Sequence, residues 1–331
     1  MSFRRSFTAC ALGVVVAMTS VSPADAQGRG GGGGGFGRGG GSYTPEAGAR
    51  DLKAVLFNWT WHMGMLRGQS EPELVATLEY RAEGTVQVNG QACTLTEYVP
   101  AAPGTLGKSG YRISANYQIG AYRTQMECTL PNGRTYSNVE TLNGNYVWDE
   151  DIPGAEIVPG EGTATPRPEA RDERLIRLWA SPHGAPKAAI AAAAGLPLSE
   201  SFAENPAQLL DRQAAAGVEP MTTLSWQGNR PVLTFPIPGV EGATATATLS
   251  EEFLPERVVV THGRNTTEFV YGNYQDFNNP LHRIEAMYAG TIVERLNGEV
   301  VRDLRTVVTE IGQVYVAVPV PDSVRAAGPA N

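Results

Sequence analysis

The sequence has little of what usually declares a chemistry. Four histidines stand in 331 residues, and none is in H-x-H or H-E-x-x-H spacing, so a histidine-rich metal site has no candidate. His282 and Glu285 form an H-x-x-E pair with no third ligand in view. His62, His183 and His262 read as structural. The three cysteines make no C-x-x-C and no Cys/His ligand pattern, which argues against structural zinc. No G-x-S-x-G turn is present, and Ser109 and Ser225 sit in the wrong contexts for a nucleophile elbow. Beyond the leader, no apolar run approaches the roughly 20 residues of a membrane helix. Positive charge is scarce as well. Lysine and arginine number 26 against 34 acidic residues, for a net charge of -8. Phosphate repels such a chain, so nucleic acid is not an expected partner, and docking on anionic lipid is disfavoured. Nothing implies a cofactor.

What is present begins with compartment. Arg4-Arg5 precedes an apolar stretch from Ala9 to Val21, and Ala24-Asp25-Ala26 follows ahead of Gln27. A charged start, an apolar centre and a small-x-small site make an export leader, residues 1–26, removed after Ala26. The centre is too short to span a bilayer, so the expected location is periplasmic or secreted. Arg4-Arg5-Ser6-Phe7 leaves both the Sec and the twin-arginine routes open. Cys10 falls inside the leader. Cys93 and Cys128 then remain as an even pair in an oxidising compartment and read as a disulfide. Closing that loop contributes about 3–4 kcal/mol in the chain-entropy model.

Residues 27–44 form a glycine-rich arm that cannot bury enough surface to order itself. Pro45 to Arg67 reads as a first helix capped by Thr44, with Leu52, Val55, Leu56, Trp59, Met63 and Leu66 on one apolar stripe. Strand patterns follow from Glu73 to Trp148, punctuated by Asn89-Gly90, Asn132-Gly133 and Asn143-Gly144. Residues 152–168 read as an irregular connection. A helical insert at about 169–217 covers Ala170 to Trp179, Pro186 to Ala194 and Asn205 to Ala216, the last two ended by Gly195 and Gly217. Strands resume from Met221. Tyr288 to Leu296 and Val300 to Thr309 flank an Asn297-Gly298 turn, Val314 to Val318 reads as a closing strand, and 321–331 as a flexible tail. The order helix, meander, helices, meander predicts an α+β domain over residues 45–320, an antiparallel sheet with helices on one side.

The run Leu254 to Gly263, then Thr267 to Phe277, then Tyr288 to Asp303 resembles exported bacterial proteins of the outer-membrane lipoprotein-carrier (LolA/LolB-like) superfamily. The resemblance implies a strongly curved antiparallel half-barrel with helices on its concave face and an apolar ligand held between them. Carriers of the best-known type have an Arg-Pro pair before an early aromatic strand. No such pair precedes the early strands of this chain, so no functional residue is carried over. It also lacks the H-x-H-x-D-H run of a hydrolase domain that sometimes follows such a module.

The expected function is therefore non-catalytic binding of a lipid or lipidated peptide, with no covalent chemistry. Trp59, Met63, Leu66, Trp179 and Trp226 are the candidate ligand contacts, because wide and soft apolar side chains suit an adaptable pocket. Two other readings stay open. One is an envelope interaction module with no small ligand, recognisable by an exposed apolar patch on the convex face. The other is a periplasmic hydrolase whose scattered acidic residues meet in one cleft. Trp148-Asp149-Glu150-Asp151 could also hold calcium weakly, although a solvated turn accounts for it as well.

Overall fold

The computed structural model describes residues 43–66, 75–100, 108–201, 205–276, 286–312 and 315–330. The leader, most of the glycine-rich arm and the His282–Glu285 pair lie outside the described residues. The chain divides into two compact units, residues 1–39 and 40–331, and every described residue belongs to the second.

The first helix is shorter than its stripe. α1 runs Leu52–His62, because Asp51 rather than Thr44 caps it, its side chain accepting from the Ala54 amide. Asparagine and aspartate cap strongly, and the cap overrides the earlier Thr-Pro signal. Gly64, at φ 71°, ends the helix, where a left-handed residue closes the last turn. Leu66 consequently lies beyond it.

The first meander is β1 Thr77–Val88, β2 Gln91–Leu95, β3 Tyr111–Asn116, β4 Ala121–Thr129, β5 Thr135–Asn143 and β6 Tyr146–Glu150. A short β7, Ala164–Pro166, was not expected in the 152–168 connection. It pairs with β6. The insert supplies α2 Arg171–Trp179, α3 Gly184–Ala194, α4 Leu198–Ser201 and α5 Pro206–Ala215. The second meander is β8 Thr223–Gln227, β9 Arg230–Pro236, β10 Thr244–Leu249, β11 Pro255–His262, β12 Asn265–Gly272, β13 Gln275–Asp276, β14 Met287–Tyr288, β15 Thr291–Leu296 and β16 Glu299–Ile311, and α6 Asp322–Ala327 follows.

Fourteen of these strands make one antiparallel sheet, with β13 and β14 apart as a two-stranded pair. Its halves are joined where β16 returns beside β1, over a register running from Leu78↔Ile311 to Val86↔Arg302. β2 and β3 share one slot between β1 and β4, β2 beside residues 85–88 and β3 beside residues 77–81. The chain passes between them at Gly110, where a Cβ would come within 2.3 Å of the Thr96 amide, so only glycine fits. The Cys93–Cys128 disulfide is formed and fully buried. It reinforces β2 and β4, which share only two paired positions.

The sheet is curved and the helices lie in its concave face, the half-barrel arrangement that the resemblance implied. Strand alternation fixes what that face presents. One cross-strand row reads Leu224, Leu233, Ala247, Val258, Phe269, Glu294, Arg302 and Val86. A second reads Ile311, Leu78, Ala115, Tyr122, Leu142 and Val147, all buried. Apart from Glu294 and Arg302, these rows and the helices α1 to α3 belong to one continuous apolar core.

Two expectations for the C-terminal part are corrected. Tyr288 to Leu296 is not one strand. Gly290 interrupts it, since a Cβ there would meet the Asn273 carbonyl at 2.5 Å, and its amide donates to that carbonyl instead. Residues 315–321 form no strand, and the segment behind them is no tail. Val316, Val318 and Val324 bury against Ala121, Trp148 and Ala164 on the convex side. Asn116 and Asn143 donate to the Val316 and Val318 carbonyls at 3.1 and 2.7 Å, and the Ala330 amide donates to Asn145. Alternating valines gave the segment a strand's pattern, but Pro319 and Pro321 remove ladder donors.

Candidate functional site

The concave face carries a chamber walled by six tyrosines, Tyr80, Tyr111, Tyr117, Tyr122, Tyr271 and Tyr288, roofed by Arg177 and Leu178 of α2 and the Ser181-Pro182 corner. The alternation of Tyr111, Ile113, Ala115 and Tyr117 along and just past β3 directs all four inward. Tyr80 lies between Tyr288 and Tyr111, with ring centroids 5.1 and 6.3 Å away. The room left is small, about 40 Å³.

Most hydroxyls around it are committed. Tyr271 donates to the Ala180 carbonyl at 2.8 Å, which ties β12 to the end of α2. Tyr117 shares a hydrogen bond with Ser181 at 3.1 Å. Tyr122 accepts from Arg177 at 3.3 Å. Burial raises every one of these phenols above its ordinary value, so all stay protonated at physiological pH.

At one end the chamber meets a cluster of charges. Arg302 Nη1 donates to Glu294 at 2.6 Å. Arg177 reaches Glu173 at 2.5 Å, Glu140 at 3.3 Å and Glu294 at 3.5 Å. Arg302 also lies 3.7 Å from Glu140. Burial alone would push Glu140 and Glu294 up, but Arg177 and Arg302 outweigh it and hold both carboxyls below their usual range. Burial likewise opposes the charge on Arg177, and Glu294, Tyr122, Glu173 and Glu140 overcome it. The same groups line an outer cavity of about 260 Å³, whose other walls include Val86, Val88, Met126 and Tyr136. Inner chamber and outer mouth thus share Arg177, Glu294 and Arg302.

Carboxylates do meet here, as the hydrolase reading requires. Glu140 and Glu294 are held ionised, whereas a proton-donating carboxylic acid needs the opposite shift. The acidic run at Trp148 does not assemble, because alternation sends Asp149 and Glu150 to opposite faces. Asp149 pairs with Arg167 and Arg174, and Glu150 with Arg123 and the Trp148 indole. Among the described residues no group of three or more His, Cys, Asp or Glu side chains could hold a metal ion.

The five sequence-predicted contacts fall elsewhere, and none lines either cavity. Trp59 is fully buried against Phe235, with ring centroids 6.5 Å apart. Met63 is buried, and its carbonyl stands 3.4 Å from His183 Nε2. Leu66 is half-buried. Trp179 packs on Tyr117 at 6.1 Å and is the nearest of the five to the chamber. Trp226 sits on β8 beneath the Arg50 guanidinium, 3.9 Å from the ring centre. The set spreads over α1 and the residues just past it, α2 and β8 instead of converging.

The residues that do converge are not among those the sequence singled out. A signal existed. On β15 Glu294 shares a face with Ile292, and on β16 Arg302 shares one with Leu304, so each stands where alternation demands an apolar residue. In α2, Arg174 and Arg177 lie one turn apart beside Leu175 and Leu178. Charges in core positions are rarely placed there without a partner.

No known family profile matches this chain, and no curated protein does. Among solved structures, one described as an outer membrane lipoprotein-sorting protein domain from Vibrio parahaemolyticus superposes with a TM-score of 0.33 at 9% identity, over 79% of this chain and 93% of that one. A superposition that loose fixes neither family nor ligand. Among the described residues no helix is long and apolar enough to cross a membrane.

Proposed function

We propose that the chain is an exported, non-catalytic binding protein that holds a largely apolar ligand, a lipid or lipidated peptide, between its curved sheet and α2. The observation carrying this reading is the tyrosine-walled chamber beneath α2. Apolar walls with a few convergent polar groups are the common makeup of small-molecule sites. The leader at residues 1–26 supports the export, and the concave position between sheet and helices suits an apolar guest.

The chamber as described, about 40 Å³, is below the roughly 150 Å³ that admits benzene in an engineered protein cavity. A guest must therefore displace α2 outward, and the outer cavity at the charged end is the natural entrance. The test is gentle purification of the mature chain from Gln27 onward, followed by extraction and mass spectrometry. A stoichiometric apolar molecule is the expected result. A repeated blank after incubation with envelope lipids would refute the reading.

The interaction-module reading has one observation of its own. Ile152, Ile157 and Val158 are each about half exposed on a loop held by acceptor carboxylates, Glu150 for the Gly154 amide, Asp151 for Thr163 and Glu156 for Ala164. Replacing the three with serine would abolish a pull-down of envelope partners under this reading and leave lipid loading untouched.

A further inference from the structure

The chamber's polar groups do not all balance. Tyr111 is fully buried and its hydroxyl has no hydrogen-bond partner among the described residues. Its ring lines the chamber, and its hydroxyl feels Arg302, Arg177, Glu294 and Glu140. It therefore stands where the chamber meets the charged mouth. Arg302 Nε, on the same boundary, is likewise buried without an acceptor. Native interiors leave few polar atoms in this condition, and each calls for an explanation. Both of these groups can donate a hydrogen bond, and a guanidinium can only donate.

The charge of the mouth narrows what would satisfy them. Three carboxylates, Glu140, Glu173 and Glu294, face two guanidinium groups, Arg177 and Arg302, which leaves one net negative charge. The arginines are already engaged by those carboxylates. An entering carboxylate or phosphate would meet like charge in a poorly screened setting. An ammonium group would suit the charge, but it brings donors to a place where donors are waiting.

We infer that the ligand carries an uncharged hydrogen-bond acceptor, a ketone, ester or ether oxygen, which enters through the mouth and is held by the Tyr111 hydroxyl. This rests on the chamber being a ligand site. It narrows that reading to neutral amphipathic molecules and excludes free fatty acids as preferred guests.

Three probes of equal chain length separate the possibilities: decanone, decanoate and decylammonium, titrated calorimetrically into the mature chain at neutral pH. Decanone is expected to bind at least about tenfold more tightly than either ion, a difference of roughly 1.4 kcal/mol. Tyr111→Phe should lose about tenfold in decanone affinity with an unchanged or raised melting temperature, because it removes an unsatisfied group. Decanoate or decylammonium binding as tightly as decanone overturns the inference and leaves the ligand site standing. So does full decanone affinity in Tyr111→Phe. Failure of all three probes to bind removes both the inference and the site it rests on.

Discussion

Helices α2 and α3 are neighbours in the chain and lie in the same concave face, yet they are held by opposite means. α2, Arg-Asp-Glu-Arg-Leu-Ile-Arg-Leu-Trp, sends two arginines inward. Arg174 donates to the Thr141 and Trp148 carbonyls at 2.9 and 2.8 Å and pairs with Asp149 at 2.5 Å. Arg177 joins the charge cluster of the mouth. α3, Gly-Ala-Pro-Lys-Ala-Ala-Ile-Ala-Ala-Ala-Ala, buries all 11 of its residues. Small side chains bring it close to its neighbours, and its one ionisable side chain, Lys187, lies 5.3 Å from the centre of the Tyr117 ring. The chamber lies beneath α2, and no residue of α3 lines it. Long directional bonds can hold a helix across a gap, whereas alanine contacts require that there be none.

The comparison breaks most severely at Arg177. Arg177→Met should destabilise the fold by about 3–5 kcal/mol, since Glu140, Glu173 and Glu294 lose their shared cation, and Glu294 is buried and Glu140 half-buried. Urea unfolding measures it. A loss below about 1 kcal/mol would mean that α2 is seated by its leucines and not by charge.

Next in size is acid lability, which should originate at the start of α3. His183 is fully buried, stacks on Tyr288 and reaches the Met63 carbonyl. Burial lowers its pKa from 6.5 to about 4. As pH falls, the unfolded chain takes up the proton first. Stability is therefore complete above the unfolded value and declines through the window down to the folded one, by about 3 kcal/mol. Glu140 and Glu294 act in the same sense lower down, as their stabilisation is lost once pH falls through their depressed folded values. His183→Phe keeps the stacked ring and should flatten the upper part of the profile only. Urea midpoints across pH decide it, and an unchanged upper slope would exonerate His183.

Ala188→Leu probes the close-packed side directly. Ala188 is completely buried, and a larger side chain there should cost about 1–3 kcal/mol. Tolerance of leucine in a thermal melt would show slack beneath α3 as well. The smallest effect belongs to an exposed pair. Lys53 and Asp211 meet at 2.9 Å across α1 and α5, with Asp211 largely in solvent. Asp211→Ala should cost less than about 1 kcal/mol, and salt should erase it.

Much of the architecture was legible because it is local. Asn-Gly turns, alternation, the capping glycines after α3 and α5 and the Cys93–Cys128 pair each depend on a few neighbouring residues. Legibility failed where sterics or proline decided the outcome at a distance. Gly290 breaks its strand because of Asn273, and the terminal valines lie across the convex face without laddering. The five candidate contacts fail to converge for a related reason. Trp59 and Trp226 are conspicuous in one dimension, but large aromatic side chains fill cores whether or not a ligand exists.

By itself, then, the sequence determined the α+β class, the antiparallel pairing, the helical insert and the expectation of export, because periodicity, turn chemistry and leader grammar are written in contiguous residues. Only the tertiary structure decided that Arg177, Glu294, Arg302 and Glu140 meet at the mouth of a tyrosine chamber. Those residues come from α2, β15, β16 and β5, and what joins them is cross-strand register and helix placement. Register is set by the fold's whole hydrogen-bond ladder, which no single segment contains.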